Sequence, residues 1–137
     1  MTRGPLTGAL EELLTRAPLF AGLSRIDLAK LAAHLEPVRV GHGEQIFPQG
    51  EVGDSLYVVG RGSFQVFLRS PDGTTEVRVA TLAPGDLFGE MALFTDEPRS
   101  ATVRAEGEGE LLRLERGRFL ELIRREPGIA LAVAATL

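Results

Sequence analysis

The stretch Gly85-Asp-Leu-Phe-Gly-Glu-Met-Ala-Leu-Phe-Thr-Asp-Glu-Pro-Arg-Ser-Ala-Thr-Val103 separates two segments with strand character. Before it, Glu76–Leu82 reads as the second strand of a hairpin. After it, Ala101, Val103 and Ala105 alternate with Thr102 and Arg104, the period of a strand. Inside it, Gly89–Phe94 has the length of about one and a half helical turns. That is enough to make a helix N-terminus, with free backbone N–H groups and a partial positive charge. Gly89 lets a ligand approach the backbone closely. Arg99 supplies a two-pronged donor set suited to a phosphate. Ser100 adds a hydroxyl and Ala101 an N–H, so the segment predicts a cradle for a small anion. Glu90 is the odd member, because a carboxylate repels a phosphate unless it faces a donor on the same ligand. A ribose hydroxyl is such a donor. Glu90 and Arg99 together therefore suit a nucleotide whose phosphate is folded back on its sugar. The plainer alternative is a surface ion pair between the two side chains.

The surroundings of this segment are rich in strands. Twelve of the sixteen glycines fall between Gly41 and Gly117, where they punctuate turns. Strands are predicted at 37–40, Gln45–Phe47, Ser55–Val59, Phe64–Arg69, Glu76–Leu82, 101–105 and 112–114, with Leu112 and Leu114 facing inward. Ser70-Pro-Asp-Gly73 is a hairpin turn, since Pro presets φ and Gly accepts the left-handed position. Many short strands at this spacing argue for a sandwich or small barrel.

Helical spacing flanks the strands. Leu6, Leu10, Leu13 and Leu14 mark a helix over 5–16, which Ala17-Pro18 ends. Ser24 and Asp27 form the start of a second helix, with Leu28, Leu31, Ala32 and Leu35 on one face. Phe119, Leu122 and Ile123 mark a helix over 116–126, and the tail 128–137 is almost wholly apolar. These signals predict a single domain over 1–137: helical at 5–35, a β-roll at 36–115, and C-terminal helices at 116–137 that are expected to be truncated.

Composition narrows the function. The chain has 137 residues, a net charge of −4 and 44% hydrophobic residues, which fits one domain around one core. No apolar run approaches the ~20 residues that cross a bilayer, and the first ten residues lack a signal-peptide h-region. Cysteine is absent, which removes disulfides, thiolate metal sites and a cysteine nucleophile and suits a cytoplasmic setting. Lys30 is the only lysine and there is no basic stripe, so direct nucleic-acid contact by this chain is not expected. His34 and His42 are the only histidines and read as surface residues. His42-Gly-Glu44 lacks the Cys ligands of a zinc deaminase. Gly60-x-Gly62 lacks the third glycine of a dinucleotide fingerprint. A β-roll metalloenzyme would need several interior ligands that the sequence does not offer. No catalytic residue and no metal ligand are predicted.

Phe88-Gly-Glu-Met-Ala-Leu93 followed by Pro98-Arg-Ser-Ala101 resembles the phosphate-binding cassette of cyclic nucleotide-binding domains. These domains occur in catabolite-activator-type bacterial regulators, kinase regulatory subunits and some ion channels. The resemblance runs from about Leu19 to Ile123. It includes Gly43-Glu, the Gln49-Gly-Glu-x-Gly-Asp54 loop, Tyr57, Gly60-x-Gly62 and Pro84-Gly-Asp86. It implies a mainly β fold, an eight-stranded antiparallel β-roll of jelly-roll type with N-terminal helices, a short cassette helix and C-terminal helices. It assigns Glu90 to the ribose 2′-hydroxyl, and Arg99 with the backbone of Gly89, Ser100 and Ala101 to the cyclic phosphate. Val79 and Ala80 would line the purine. Met91 joins the ligand contacts as a cassette member, although Phe88 and Met91 taken alone read as core. The ligand implied is cyclic AMP or cyclic GMP, with no other cofactor. Binding would draw the short helix inward and repack residues 116–137. Implied partners are an effector domain or protein outside this chain and a second copy joined through the C-terminal helix. The competing reading is an interaction module that keeps the roll and no longer binds nucleotide.

Overall fold

The computed structural model describes residues 10–136. Of the helix expected over 5–16, residues 10–14 are helical and 5–9 lie outside the described residues, as does Leu137. A 3₁₀ turn at Pro18–Phe20 leads into helix α1, Arg25–Ala32. The Ser24 side chain caps α1 by accepting the N–H of Asp27 at 3.1 Å, as the sequence pattern requires. Eight strands follow: β1 (Glu36–Val40), β2 (Gln45–Phe47), β3 (Ser55–Arg61), β4 (Phe64–Arg69), β5 (Glu76–Leu82), β6 (Leu87–Phe88), β7 (Thr102–Ala105) and β8 (Gly109–Glu115). A second 3₁₀ turn, Glu90–Leu93, lies between β6 and β7. Helix α2 (Arg116–Arg125) and helix α3 (Pro127–Ala134) close the described chain, Pro127 opening α3 where its missing N–H costs nothing.

The strands form two four-stranded antiparallel sheets, ordered β1-β8-β3-β6 and β2-β7-β4-β5. This is the expected eight-stranded β-roll with flanking helices; the sheets face each other without closing into a barrel. The two-residue strand β6 was not anticipated, because a strand that short shows no alternation. At the β4–β5 turn Gly73 has φ 76°, and Asp72 accepts hydrogen bonds from the Ser70 hydroxyl and from the N–H and hydroxyl of Thr74. These bonds lower the Asp72 carboxyl to about 2.

The single core expected from chain length is instead two apolar clusters that share one sheet. Leu56 and Val58 of β3 and Leu114 of β8 pack with the helices, alongside Phe20, Leu31, Phe119, Leu122 and Ile129. Val59 of β3 and Leu111 of β8 pack inside the roll, alongside Phe47, Phe64, Phe88 and Val103. The expected pair on β8, Leu112 and Leu114, does share a face and packs on the helix-side cluster, but Leu111 on the other face was missed. Leu111 and Leu114 are both fully buried on opposite faces, while Leu112 is only half-buried. A sheet covered on both sides reads as a continuous apolar run, so alternation cannot reveal its faces.

Truncation on either face of β8 should therefore be felt. Leu111→Ala and Leu114→Ala are each expected to destabilise the domain by about 2–5 kcal/mol in urea unfolding. A near-neutral result for one of them would mean that its face of the sheet is not packed.

Candidate functional site

The site is built by backbone pairing between two loops. The N–H of Arg99 donates to Glu51 O and the N–H of Gly50 to Arg99 O, both at 2.8 Å, while Val52 bridges to Pro98. The loop Gln49–Asp54 therefore fixes the main chain of Arg99 from both sides. The N–H of Gln49 adds a bond to the buried Thr102 hydroxyl at 2.8 Å. From this anchor the Arg99 side chain runs inward and is only 8% exposed. Its Nη1 donates to Gly89 O at 3.0 Å and its Nη2 to Ser55 O at 2.8 Å. The guanidinium lies over the Phe47 ring, 4.0 Å from the centroid. Its Nε is buried with no hydrogen-bond partner. Burial pulls the Arg99 pKa down, against the opposing field of Tyr57, Glu51 and Asp54, and the group remains charged. Among the described residues it forms no ion pair, with Glu90 or any other carboxylate. A buried cation held only by neutral oxygens and a ring face is incompletely compensated, and an anion placed beside it would supply what is missing.

Gly89 makes the approach possible. It sits in the left-handed region at φ 76°, and a Cβ there would lie 2.6 Å from Arg99 Nη1. The following run is a single 3₁₀ turn, not the α-helical end expected from sequence. Its contribution is therefore a set of free N–H groups rather than a long helix dipole. The N–H groups of Ser100 and Ala101 are likewise unused by any turn or loop hydrogen bond.

These features surround a cavity of about 300 Å³ between the 3₁₀ turn and the β2–β7–β4 sheet. Six of the eight residues singled out from sequence line it: Gly89, Glu90, Met91, Arg99, Ser100 and Ala101. Val79 and Ala80 do not. They lie exposed on edge strand β5, with Ala80 directly across from Val66, which does line the cavity. Met91 is 52% exposed, so it is not a core residue, whereas Phe88 is buried as expected. Phe47 and the Ser55 carbonyl were not singled out from sequence, and neither was Gly53. A Cβ on Gly53 would fall 2.3 Å from Arg99 Nε. The glycine of Gln49-Gly-Glu-x-Gly-Asp54 was the available signal. His42 is exposed in a turn and His34 bonds to the carbonyl of Lys30. Among the described residues no group of three or more His, Cys, Asp or Glu side chains is placed to hold a metal ion. None of their helices is long and apolar enough to cross a membrane.

Residues 37–126 match the family model for the cyclic nucleotide-binding domain. The chain belongs to that family. It is 40% identical over 121 residues to the cyclic AMP receptor protein of Thermus thermophilus, covering 88% of this chain and 56% of that protein. The N-terminal domain of a transcriptional regulator from Streptomyces coelicolor superimposes with a TM-score of 0.84 at 37% identity, covering 90% of this chain and 86% of that one. The regulatory domain of Toxoplasma gondii PKA, crystallised with cAMP, superimposes with a TM-score of 0.81 at 27% identity, covering 89% of this chain and 46% of that one. The chain spans about half the length of the curated relatives it matches. A CRP-like cAMP-activated global transcriptional regulator of Mycobacterium tuberculosis is 31% identical over 121 residues, covering 88% of this chain and 54% of that protein.

Gly53→Ala must push the locked guanidinium from its two carbonyls, and is expected to cost about 1–3 kcal/mol in urea unfolding. Gly117→Ala, in helix α2 with nothing within 4 Å of the new methyl, is expected to stabilise by about 0.5–1 kcal/mol. Equal effects at the two sites would show that Gly53 and Arg99 are not in contact.

Proposed function

We propose that this domain binds a cyclic nucleotide in the cavity beside Gly89 and passes the change to an effector outside this chain. One observation carries the reading: the buried Arg99 guanidinium, with only two of its five N–H donors bonded and no ion pair among the described residues, opens on unused N–H groups. Arg99 and the N–H groups of Gly89, Ser100 and Ala101 take the cyclic phosphate. Glu90, free of Arg99, accepts from the ribose 2′-hydroxyl. Met91 flanks the sugar, and Val79 and Ala80 receive the purine if β5 closes over it. The cyclic AMP receptor of Thermus thermophilus and the cAMP-bound PKA domain support cyclic AMP as the first ligand to try, with cyclic GMP as the alternative. The same reading includes a cytoplasmic setting. It also includes self-association through α3, where Ile129 and Val133 are buried but Leu131 is 73% exposed.

The test is a thermal shift with cyclic AMP, cyclic GMP and plain AMP. Ligand at 100 times its Kd adds about 2.7 kcal/mol, on the order of 5–10 °C for a domain of this size. Plain AMP, whose phosphate is not closed onto the sugar, should shift the domain less. Arg99→Ala should weaken calorimetric binding by about 2–5 kcal/mol, and Glu90→Gln by less, since its amide oxygen still accepts. Absence of a shift with either cyclic nucleotide would favour a roll that serves as an interaction module, its Arg99 satisfied by Gly89 O and Ser55 O alone.

A further inference from the structure

The 3₁₀ turn at the cavity is fastened at both ends by an arginine. At its start, Arg99 ties Gly89 O to Ser55 O. At its end, Arg116 does the corresponding work from the first residue of α2. Arg116 Nε donates to Ala92 O at 2.7 Å, Nη2 donates to Thr95 O, and Nη1 pairs with Asp96 at 2.8 Å. The backbone N–H of Arg116 donates to Asp54 O at 2.7 Å. Asp54 and Ser55 are consecutive, so both fastenings end on the same short piece of chain at the start of β3. We propose that Arg116 is the positioning strut that couples occupancy of the cavity to helices α2 and α3. This rests on the reading that a cyclic nucleotide fills that cavity.

The chemistry favours a strut over a passive contact. A guanidinium is a rigid planar fork, so one side chain fixes three acceptors in one geometry. Movement of residues 90–96 relative to α2 would strand the two part-buried carbonyls and break the exposed ion pair with Asp96. The neighbouring link, Phe94 edge-on to Phe119 with centroids 5.9 Å apart, is apolar and tolerates sliding. Beyond Arg116, α2 runs into α3 with only Glu126 between them, and Glu126 is itself held by Lys30 of α1 at 2.9 Å. A shift at the first residue of α2 therefore has few places to dissipate before it reaches α3.

Arg116→Gln keeps a polar side chain at the helix start but cannot span the three acceptors. Both forms should retain a cooperative unfolding transition and bind cyclic AMP by calorimetry, their affinities differing by no more than the coupling that is lost. In the unsubstituted domain, cyclic AMP should change amide hydrogen exchange at 89–101 and, by about fivefold or more, at 116–134. In Arg116→Gln the first change should persist and the second disappear. Arg116→Lys, which can hold Asp96 but cannot fork, should fall between. A response of full size at 116–134 in Arg116→Gln overturns the proposal. Unaltered exchange at 89–101 in the unsubstituted domain would instead count against the nucleotide. The strut is then decided without ligand: Arg99→Met should speed exchange at 116–125 only while Arg116 is present. Gly53→Ala serves in its place if Arg99→Met does not fold. Additive effects of the two substitutions would reject the strut.

Discussion

A guanidinium buried as Arg99 is needs partners for its donors, and the fold around the cavity is arranged to give it two carbonyls and a ring face. The Gln49–Asp54 loop pins the Arg99 main chain, Gly53 gives up its side chain to make room, and Gly89 takes a left-handed turn so that its carbonyl faces Nη1. The Phe47 ring covers the cation's face, and the Ser55 carbonyl closes the other side. Nε has no hydrogen-bond partner at all. The stretch 47–55 and the distant Gly89 thus converge on one side chain. The loops around the cavity are specified by this charge more than by apolar burial.

The second constraint is the two-sided sheet. β3 and β8 contribute to the helix-side cluster and to the roll interior at once. The helices therefore sit on the back of the same sheet whose front forms the inside of the roll. Arg116 links the end of β8 to the turn at the cavity, so the site and the helices communicate through direct hydrogen bonds as well as through the sheet.

Much of this was legible in the sequence, for physical reasons. Ser24 and Asp27 announce a capped helix, and Pro71 with Gly73 announces a hairpin, because both signals are local. The cassette residues 89–91 and 99–101 could be read together because chemistry at fixed spacing survives without knowledge of packing. Strand β6 escaped because two residues carry no period. Leu111, on the second buried face of β8, escaped because a strand covered on both sides shows no alternation. Phe47, Gly53 and the Ser55 carbonyl escaped because each acts on Arg99 from across 44 to 52 residues of chain, or through the backbone, where side-chain identity says nothing. The placement of Val79 and Ala80 outside the cavity lining follows from β5 lying at a sheet edge, bonded on one side only.

The shared sheet has a thermodynamic corollary. Leu111 and Leu114 are three residues apart on one strand and serve different apolar compartments. Neither compartment can melt while the other stays intact, because losing β8 removes a wall from each. The roll and its helices are therefore a single cooperative unit, and heat would dismantle them in one calorimetric step.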